Sequence, residues 1–167
     1  MKMIFDLSEI ISKYNLEKHP EGGYYKETFR SDVFLNTDTD EVLNSKNRCC
    51  STHIYYCVPF NELSKLHRIK SSETWHFYFG EPFKLYYFDD NLNIFSVELG
   101  NENQDQTILF TIDKNTWFCG EPIRNTSYSF MGCSVSPGFE FEDLEWPDEA
   151  LKLLLIEKYG TFINKFI

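Results

Sequence analysis

SKLHRIKSSETWHFYFG, residues 64–80, sets two short strand-forming runs around a polar turn and carries two of the four histidines of the chain. Lys70, Ser71 and Ser72 read as the turn of a hairpin, with His67 before it and Glu73 after it. Strand side chains alternate, so a regular hairpin presents His67, Ile69, Glu73, Trp75, Phe77 and Phe79 on one face. That face is apolar except for one imidazole and one carboxyl. Burying both costs several kcal/mol unless they pair or are used. His76 falls on the opposite face with Thr74 and Tyr78, and joins the pair only where a bulge re-aims it.

Outward from this stretch the chain keeps a rhythm of short apolar runs. Cys50–Val58, Leu63–Lys70, Glu73–Phe79, Phe83–Phe88, Asn93–Leu99, Thr107–Ile112, Thr116–Cys119 and Tyr128–Val135 are separated by Pro, Gly, Asn and Asp clusters. Such spacing predicts a β-sandwich or closed barrel. Tyr24–Arg30 reads as an earlier strand, with Tyr25, Glu27 and Phe29 on one face and Lys26, Thr28 and Arg30 on the other. His19-Pro20-Glu21-Gly22-Gly23 breaks the chain before it, and His19 and His53 read as structural.

Helices are expected only at the ends. Asp6 as N-cap with Glu9 in the capping-box position starts a helix over about 7–17, with Leu7, Ile10, Ile11 and Tyr14 on its apolar stripe. After the barrel, about 22–145, Pro147 in a first turn and Gly160 as stop bound a second helix over about 147–160. The polar run Asn36–Asn47 is a candidate lid. No linker or repeat divides the 167 residues, so a single domain is expected.

Aromatic residues make up 17% of the chain, enough to fill a β-rich core with rings. The formal net charge of -10 opposes a nucleic-acid partner, which needs clustered cations. An anionic small substrate would depend on local residues such as Arg30, Arg48, Lys65 and Arg68. Five cysteines without CxxC spacing read as free thiols in a reducing compartment. Asp6 and Glu9 interrupt the first apolar run, and no run is long enough to span a bilayer. A cytoplasmic protein without membrane contact is the expectation.

The 64–80 stretch resembles the first motif of the cupin superfamily, Gly-x5-His-x-His-x3/4-Glu-x6-Gly. His67, Glu73 and Gly80 match, whereas Asn61 stands at the opening glycine and Ile69 at the second histidine. The second motif, Pro-x-Gly-x-x-His, has its counterpart in Asp113-Lys114-Asn115-Thr116-Trp117-Phe118, which puts Phe118 at the third histidine. Two of three metal-binding imidazoles are thus replaced, and the usual iron triad needs two imidazoles and a carboxylate. A closer resemblance spans nearly the whole chain. HPEGGYYKETFRS, STHIYYCVP, SKLHRIKSSETWHFYFG, TWFCGEP and MGCSVSPGFEFEDLEW are similar, in order, to the landmarks of cupin family 5, a family of uncharacterised single-domain cupins. Gly23-Tyr24-Tyr25-Lys26-Glu27 and Leu66-His67 are more distantly similar to strands of the dTDP-sugar epimerases.

The resemblance implies an all-β cupin-type jelly-roll barrel with short terminal helices, assembled as a homodimer. For function, the residues point to a small-molecule-binding cupin acting as a metal-independent isomerase or epimerase on a small polar or sugar-like molecule. His67 is the candidate general base and Glu73 its partner, since imidazole titrates near neutral pH. One of several tyrosines would serve as the acid. Arg30, Trp75 and His76 are candidate ligand-binding residues: Arg30 for a phosphate or carboxylate, Trp75 for a sugar or base face. In this reading no cofactor is needed. Two alternatives stand beside it: a divalent metal ion held by His67, Glu73 and His76, and a non-catalytic small-ligand binder.

Overall fold

The structure is a computed structural model that describes residues 6–36, 48–124 and 126–167. Most of the candidate lid, 37–47, therefore lies outside the described residues. The first element, α1 (Leu7–Tyr14), is closed at its start by the reciprocal Asp6–Glu9 capping box and at its end by Asn15 in the left-handed region. Its apolar stripe packs Ile10 against Leu16, Cys57, Tyr128 and Phe130.

Among the described residues twelve strands follow in chain order: β1 (Glu17–Lys18), β2 (Tyr24–Arg30), β3 (Phe34–Leu35), β4 (Arg48–Cys49), β5 (Thr52–Pro59), β6 (Ser64–His67), β7 (Ser72–Gly80), β8 (Phe83–Phe88), β9 (Ile94–Leu99), β10 (Leu109–Ile112), β11 (Phe118–Pro122) and β12 (Tyr128–Ser136). They form a six-stranded sheet, β1-β2-β5-β12-β7-β10, a four-stranded sheet, β6-β11-β8-β9, and the small pair β3-β4. Neighbouring strands of the two larger sheets pair antiparallel, and these sheets close face to face as a jelly-roll β-barrel. Tyr56, Val58, Trp75, Phe77, Phe83, Leu85 and Phe118 fill its interior from both sheets. Two C-terminal helices, α2 (Glu149–Tyr159) and α3 (Thr161–Asn164), cover the back of the four-stranded sheet with Leu155, Ile163 and Phe166. Among the described residues no helix is long and apolar enough to cross a membrane.

Four local expectations change. Ser64–Gly80 is not a hairpin: β6 pairs with β11 and β7 with β12 and β10, so residues 68–71 carry the chain from one sheet to the other. His67 and Glu73 consequently face the interior from opposite walls instead of meeting across a turn. In β2 the register shifts between Glu27 and Phe29, and this bulge turns Arg30 to the side of Glu27. A second shift, between Phe130 and Met131, re-aims Phe79 outward to stack on Phe130 at 4.7 Å. At the C-terminal helix Asp148 is the N-cap, accepting from Leu151 N–H, so Pro147 stands before the helix and not within its first turn.

Residues 137–146 cross one end of the barrel, held by arginines from three places. Arg30 donates to Glu140 at 2.6 Å and to Phe139 O at 3.1 Å, and Arg68 grips Glu145 at 2.7 and 2.9 Å. Arg48, buried, donates to Gly138 O at 3.1 Å and forms a two-pronged pair with Asp143, one arm at 3.0 Å. Breaking a buried pair strands a charge, so Arg48→Met is expected to lower stability by about 3–5 kcal/mol, and Arg48→Met with Asp143→Leu to recover most of it. Urea midpoints decide this; a loss in the single variant below about 1 kcal/mol would assign the seating of the segment to its apolar contacts.

Candidate functional site

The barrel interior is packed at one end and open at the other. The open end is a cavity of ≈ 260 Å³ whose wall includes His19, Glu21, Tyr25, Tyr56, Glu73, Trp75 and Cys133, with Arg30, Phe139 and Phe141 toward the segment that crosses the end. Glu21 reaches it from the turn between β1 and β2. That turn is tied down on every side. Tyr56 OH donates to Gly22 O at 2.9 Å, Gly23 N–H donates to Glu62 at 2.9 Å, and Glu21 O accepts from Lys65 N–H at 2.9 Å. Gly22 and Gly23 both have positive φ, and a Cβ on Gly22 would lie 2.1 Å from Leu63 O.

His67 is 1% exposed and does not line the cavity. Its Nδ1–H donates to Lys65 O at 2.6 Å, which leaves Nε2 as an acceptor facing Glu21 Oε1 at 3.3 Å. Burial pushes the imidazole down to about 3. Burial, followed by the charge of Glu73, pushes the Glu21 carboxyl well above its ordinary range. Both shifts favour uncharged partners, so the 3.3 Å contact sets a neutral carboxyl against the unprotonated Nε2 of a neutral imidazole. Ser64 Oγ adds a long contact at 3.5 Å to the other Glu21 oxygen, and Glu21 N–H donates to His19 Nδ1 at 3.3 Å. His19, also buried, is lowered to about 4.

The partner expected for His67 was Glu73; the structure supplies Glu21. Glu73 is 8% exposed in the opposite wall, and among the described residues no cation lies within salt-bridge distance of it. Burial pushes its carboxyl up to about 7, against the smaller pull of the Cys133 thiol and the Trp75 indole. Trp75 lines the cavity but is 1% exposed and stacked on Phe83 at 5.7 Å, so it is mainly wall. Its Nε1–H lies near Glu73, whose carboxyl it helps hold down, without closing a full hydrogen bond among the described residues. Arg30 lines the cavity with its donors committed to Glu27, Glu140 and Phe139 O.

His76 is on the outer face of the six-stranded sheet, 3.1 Å from Ser134 Oγ. It cannot converge with His67 and Glu73, which face the barrel interior. The positions where the cupin motif carries its other imidazoles hold Ile69 and Phe118, which offer no lone pair. The Phe118 ring lies 4.2 Å from the His67 ring and covers it. Among the described residues no group of three or more His, Cys, Asp or Glu side chains is arranged for a metal ion. The interior donor set therefore does not fit the metal of the cupin motif.

Glu21 and His19 are the site residues that sequence reasoning missed. The only signal was their place in HPEGG, read as a turn; the contact that brings Glu21 to His67 joins that turn to β6, a strand of the other sheet more than forty residues on. The position of Glu73 has a consequence for stability. A folded-state value near 7 against an ordinary 4.5 means that the folded chain holds the proton more tightly. Stability is therefore lost as pH rises through the interval between those values, by about 3 kcal/mol once Glu73 is ionised. Glu73→Gln should match the wild type at about pH 4 and exceed it by up to that amount at about pH 8. Urea midpoints of both proteins across this range check it, and parallel curves would remove the burial penalty assigned to Glu73.

Three comparisons bear on identity. A family model described as Cupin superfamily (DUF985) matches residues 8–146. An uncharacterised protein of Saccharomyces cerevisiae is 28% identical over 165 residues, covering 91% of this chain and 82% of its own length. A hypothetical protein from Leishmania major superposes with a TM-score of 0.83 at 25% identity, over 97% of this chain and 98% of that one. A Shewanella oneidensis protein gives 0.85 at 24% identity, with 98% of both chains covered. Oxalate decarboxylase of Bacillus subtilis shares the fold, with a TM-score of 0.56 at 11% identity over 90% of this chain and 36% of that one. With its barrel, its motif positions and the family match over most of its length, the chain belongs to cupin family 5 of the cupin superfamily.

Proposed function

We propose that the protein binds a small, uncharged, hydroxyl-rich molecule in the barrel cavity and isomerises it by proton transfer between Glu73 and Glu21. The observation that carries this is the placing of two carboxyls in the wall of one cavity, one locked to an imidazole and the other without a cation. Such a pair divides into base and acid because the environments push the two apart. Near neutral pH Glu73 is partly ionised and Glu21 holds its proton.

For a sugar-like substrate the roles follow from chemistry. Glu73 carboxylate takes the proton from a carbon beside a carbonyl, and Glu21 gives its proton to the carbonyl oxygen, leaving an enediol. Return of the first proton to the neighbouring carbon, and of a hydroxyl proton to Glu21, yields the isomer. His67 acts through Glu21, fixing which oxygen carries the proton. Trp75 Nε1–H, beside Glu73, is placed to donate to a ligand oxygen. No step passes through a metal, because the interior donors do not suit one.

The cavity also limits the substrate. Its ≈ 260 Å³ lies below the roughly 300–1,000 Å³ of pockets for drug-sized ligands and suits a monosaccharide better than a nucleotide sugar. Arg30, Arg48 and Arg68, the arginines that sequence reasoning offered to an anion, are paired with Glu27 and Glu140, with Asp143 and with Glu145. Among the described residues Lys26 also lines the cavity, but Glu17, Glu21, Glu27 and Glu73 line it too, so a phosphate would meet a predominantly acidic wall.

Incubation of a panel of aldoses and ketoses in D2O, followed by NMR, tests the reading whatever the product is. The wild type should exchange the hydrogen beside the carbonyl of at least one sugar. Glu73→Gln should slow that exchange by about 10²–10⁴-fold, the range for loss of a general base. A sugar that protects the protein against heating without exchange would make the protein a binder; no binding and no exchange across the panel would sink the proposal.

A further inference from the structure

A second constellation lies on the outer face of the six-stranded sheet, away from the cavity. His53 on β5, Ser134 on β12 and His76 on β7 occupy adjacent strands, with Ser134 directly paired to His53 and Gly132 to His76. His53 Nδ1 lies 2.8 Å and His76 Nε2 3.1 Å from the same atom, Ser134 Oγ. Tyr78 OH sits 3.1 Å from His53 Nε2 and fixes that ring from behind. Room for the cluster comes from Gly132: a Cβ there would lie 2.3 Å from Tyr78 OH and 2.8 Å from His53 Cε1.

We propose that His53, His76 and Ser134 form a surface site for an imidazole-preferring divalent transition-metal ion, such as Zn²⁺ or Cu²⁺. The geometry supports it in two ways. Two ring nitrogens converge on one oxygen, so a single ion beside that oxygen meets both. The ring centres are 5.9 Å apart, and an ion about 2.1 Å from each nitrogen in near-tetrahedral geometry sets imidazole centres roughly 5–6 Å apart. Burial lowers both histidines from their ordinary range, so the neutral, metal-binding form prevails near pH 7. Among the described residues, the titratable groups facing the pair are each other, Tyr78, whose phenol burial pushes up, and, at 6.4 Å from His53, Tyr55. Two imidazoles and a hydroxyl leave positions for water, which suits reversible binding. The ion would tie β5 to β7 across β12, and so add to the stability of the sheet instead of entering the cavity chemistry.

The test uses the untagged chain with ZnCl2 and CuSO4 as probes. Calorimetric titration should give one ion per chain, and the copper adduct should show nitrogen hyperfine structure from two imidazoles in its EPR spectrum. His53→Ala and His76→Ala should each weaken binding by about tenfold or more, the order associated with disturbing a metal ligand's support. Ser134→Ala should weaken it less, and Glu73→Gln should leave it unchanged. Zn²⁺ should also raise the melting temperature of the wild type but not of His76→Ala. Equal affinity in the wild type and in the His53→Ala/His76→Ala double variant, a one-nitrogen copper spectrum, or no binding by a folded wild type would each overturn the site.

Discussion

The anchoring of the turn at residues 21–23 against β5 and β6 is the constraint on which the open end of the barrel depends. It joins a turn at the edge of one sheet to a strand of the other, where Lys65 N–H donates to Glu21 O at 2.9 Å and His67 Nε2 faces Glu21 Oε1 at 3.3 Å. An unsatisfied buried donor or acceptor costs about 1–3 kcal/mol, more than a typical hydrogen bond contributes when formed. The turn is held by several such bonds at once, with Tyr56, Glu62 and the Lys65 backbone all serving residues 21–23. Gly22 and Gly23 let the chain pass close enough for this to happen. The cavity is thus defined by a polar net on one side and by apolar strands on the other.

The replaced motif positions explain why His67 lies where it does. In a cavity with a metal, the histidine of β6 would point at the ion. Here Phe118, its partner across β6 and β11, lays a ring over it at 4.2 Å, and Lys65 O takes its Nδ1 proton. A histidine with one nitrogen spent on backbone and its face on a phenyl ring has one function left to the other nitrogen, which is to accept. Glu21, whose carboxyl burial keeps protonated, is the group that faces this nitrogen, at 3.3 Å. Loss of the metal ligands and gain of the carboxyl pair are two aspects of one packing arrangement.

Much of the fold was legible because it rests on local rules. Alternating apolar residues marked Tyr24–Arg30, Glu73–Phe79 and Tyr128–Val135 within a residue or two, and Asp6 and Glu9 announced the first cap. Asn115, at a glycine position of the motif, does take a positive φ. What could not be read was which strands pair. A turn of Lys-Ser-Ser between two apolar runs looks the same whether it closes a hairpin or passes between sheets, and the choice moved the partner of His67 from Glu73 to Glu21. Bulges at β2 and β7 were equally silent, because one extra residue leaves no mark in composition yet reverses the side on which Arg30 and Phe79 emerge. The outer cluster was hidden for the same reason: His53, His76 and Ser134 are neighbours only through pairing across three strands.

Glu73 is the residue that packing alone does not explain. Trp75 and Cys133 beside it are well placed as apolar wall, and an uncharged side chain of the same size would avoid the cost of burying a carboxyl. Among the described residues no arginine or lysine comes within ion-pair distance of it, although arginines reach Glu140, Asp143 and Glu145 on the segment that crosses the same end of the barrel. Sequences that satisfy local rules elsewhere tend to break them where a function requires it. A carboxyl held near the midpoint of its titration, inside a cavity with a second carboxyl opposite, is unfavourable for stability and suited to moving a proton. In the proposed isomerisation, the same burial without a counter-charge that weakens the fold near neutral pH is what suits Glu73 to the part of base.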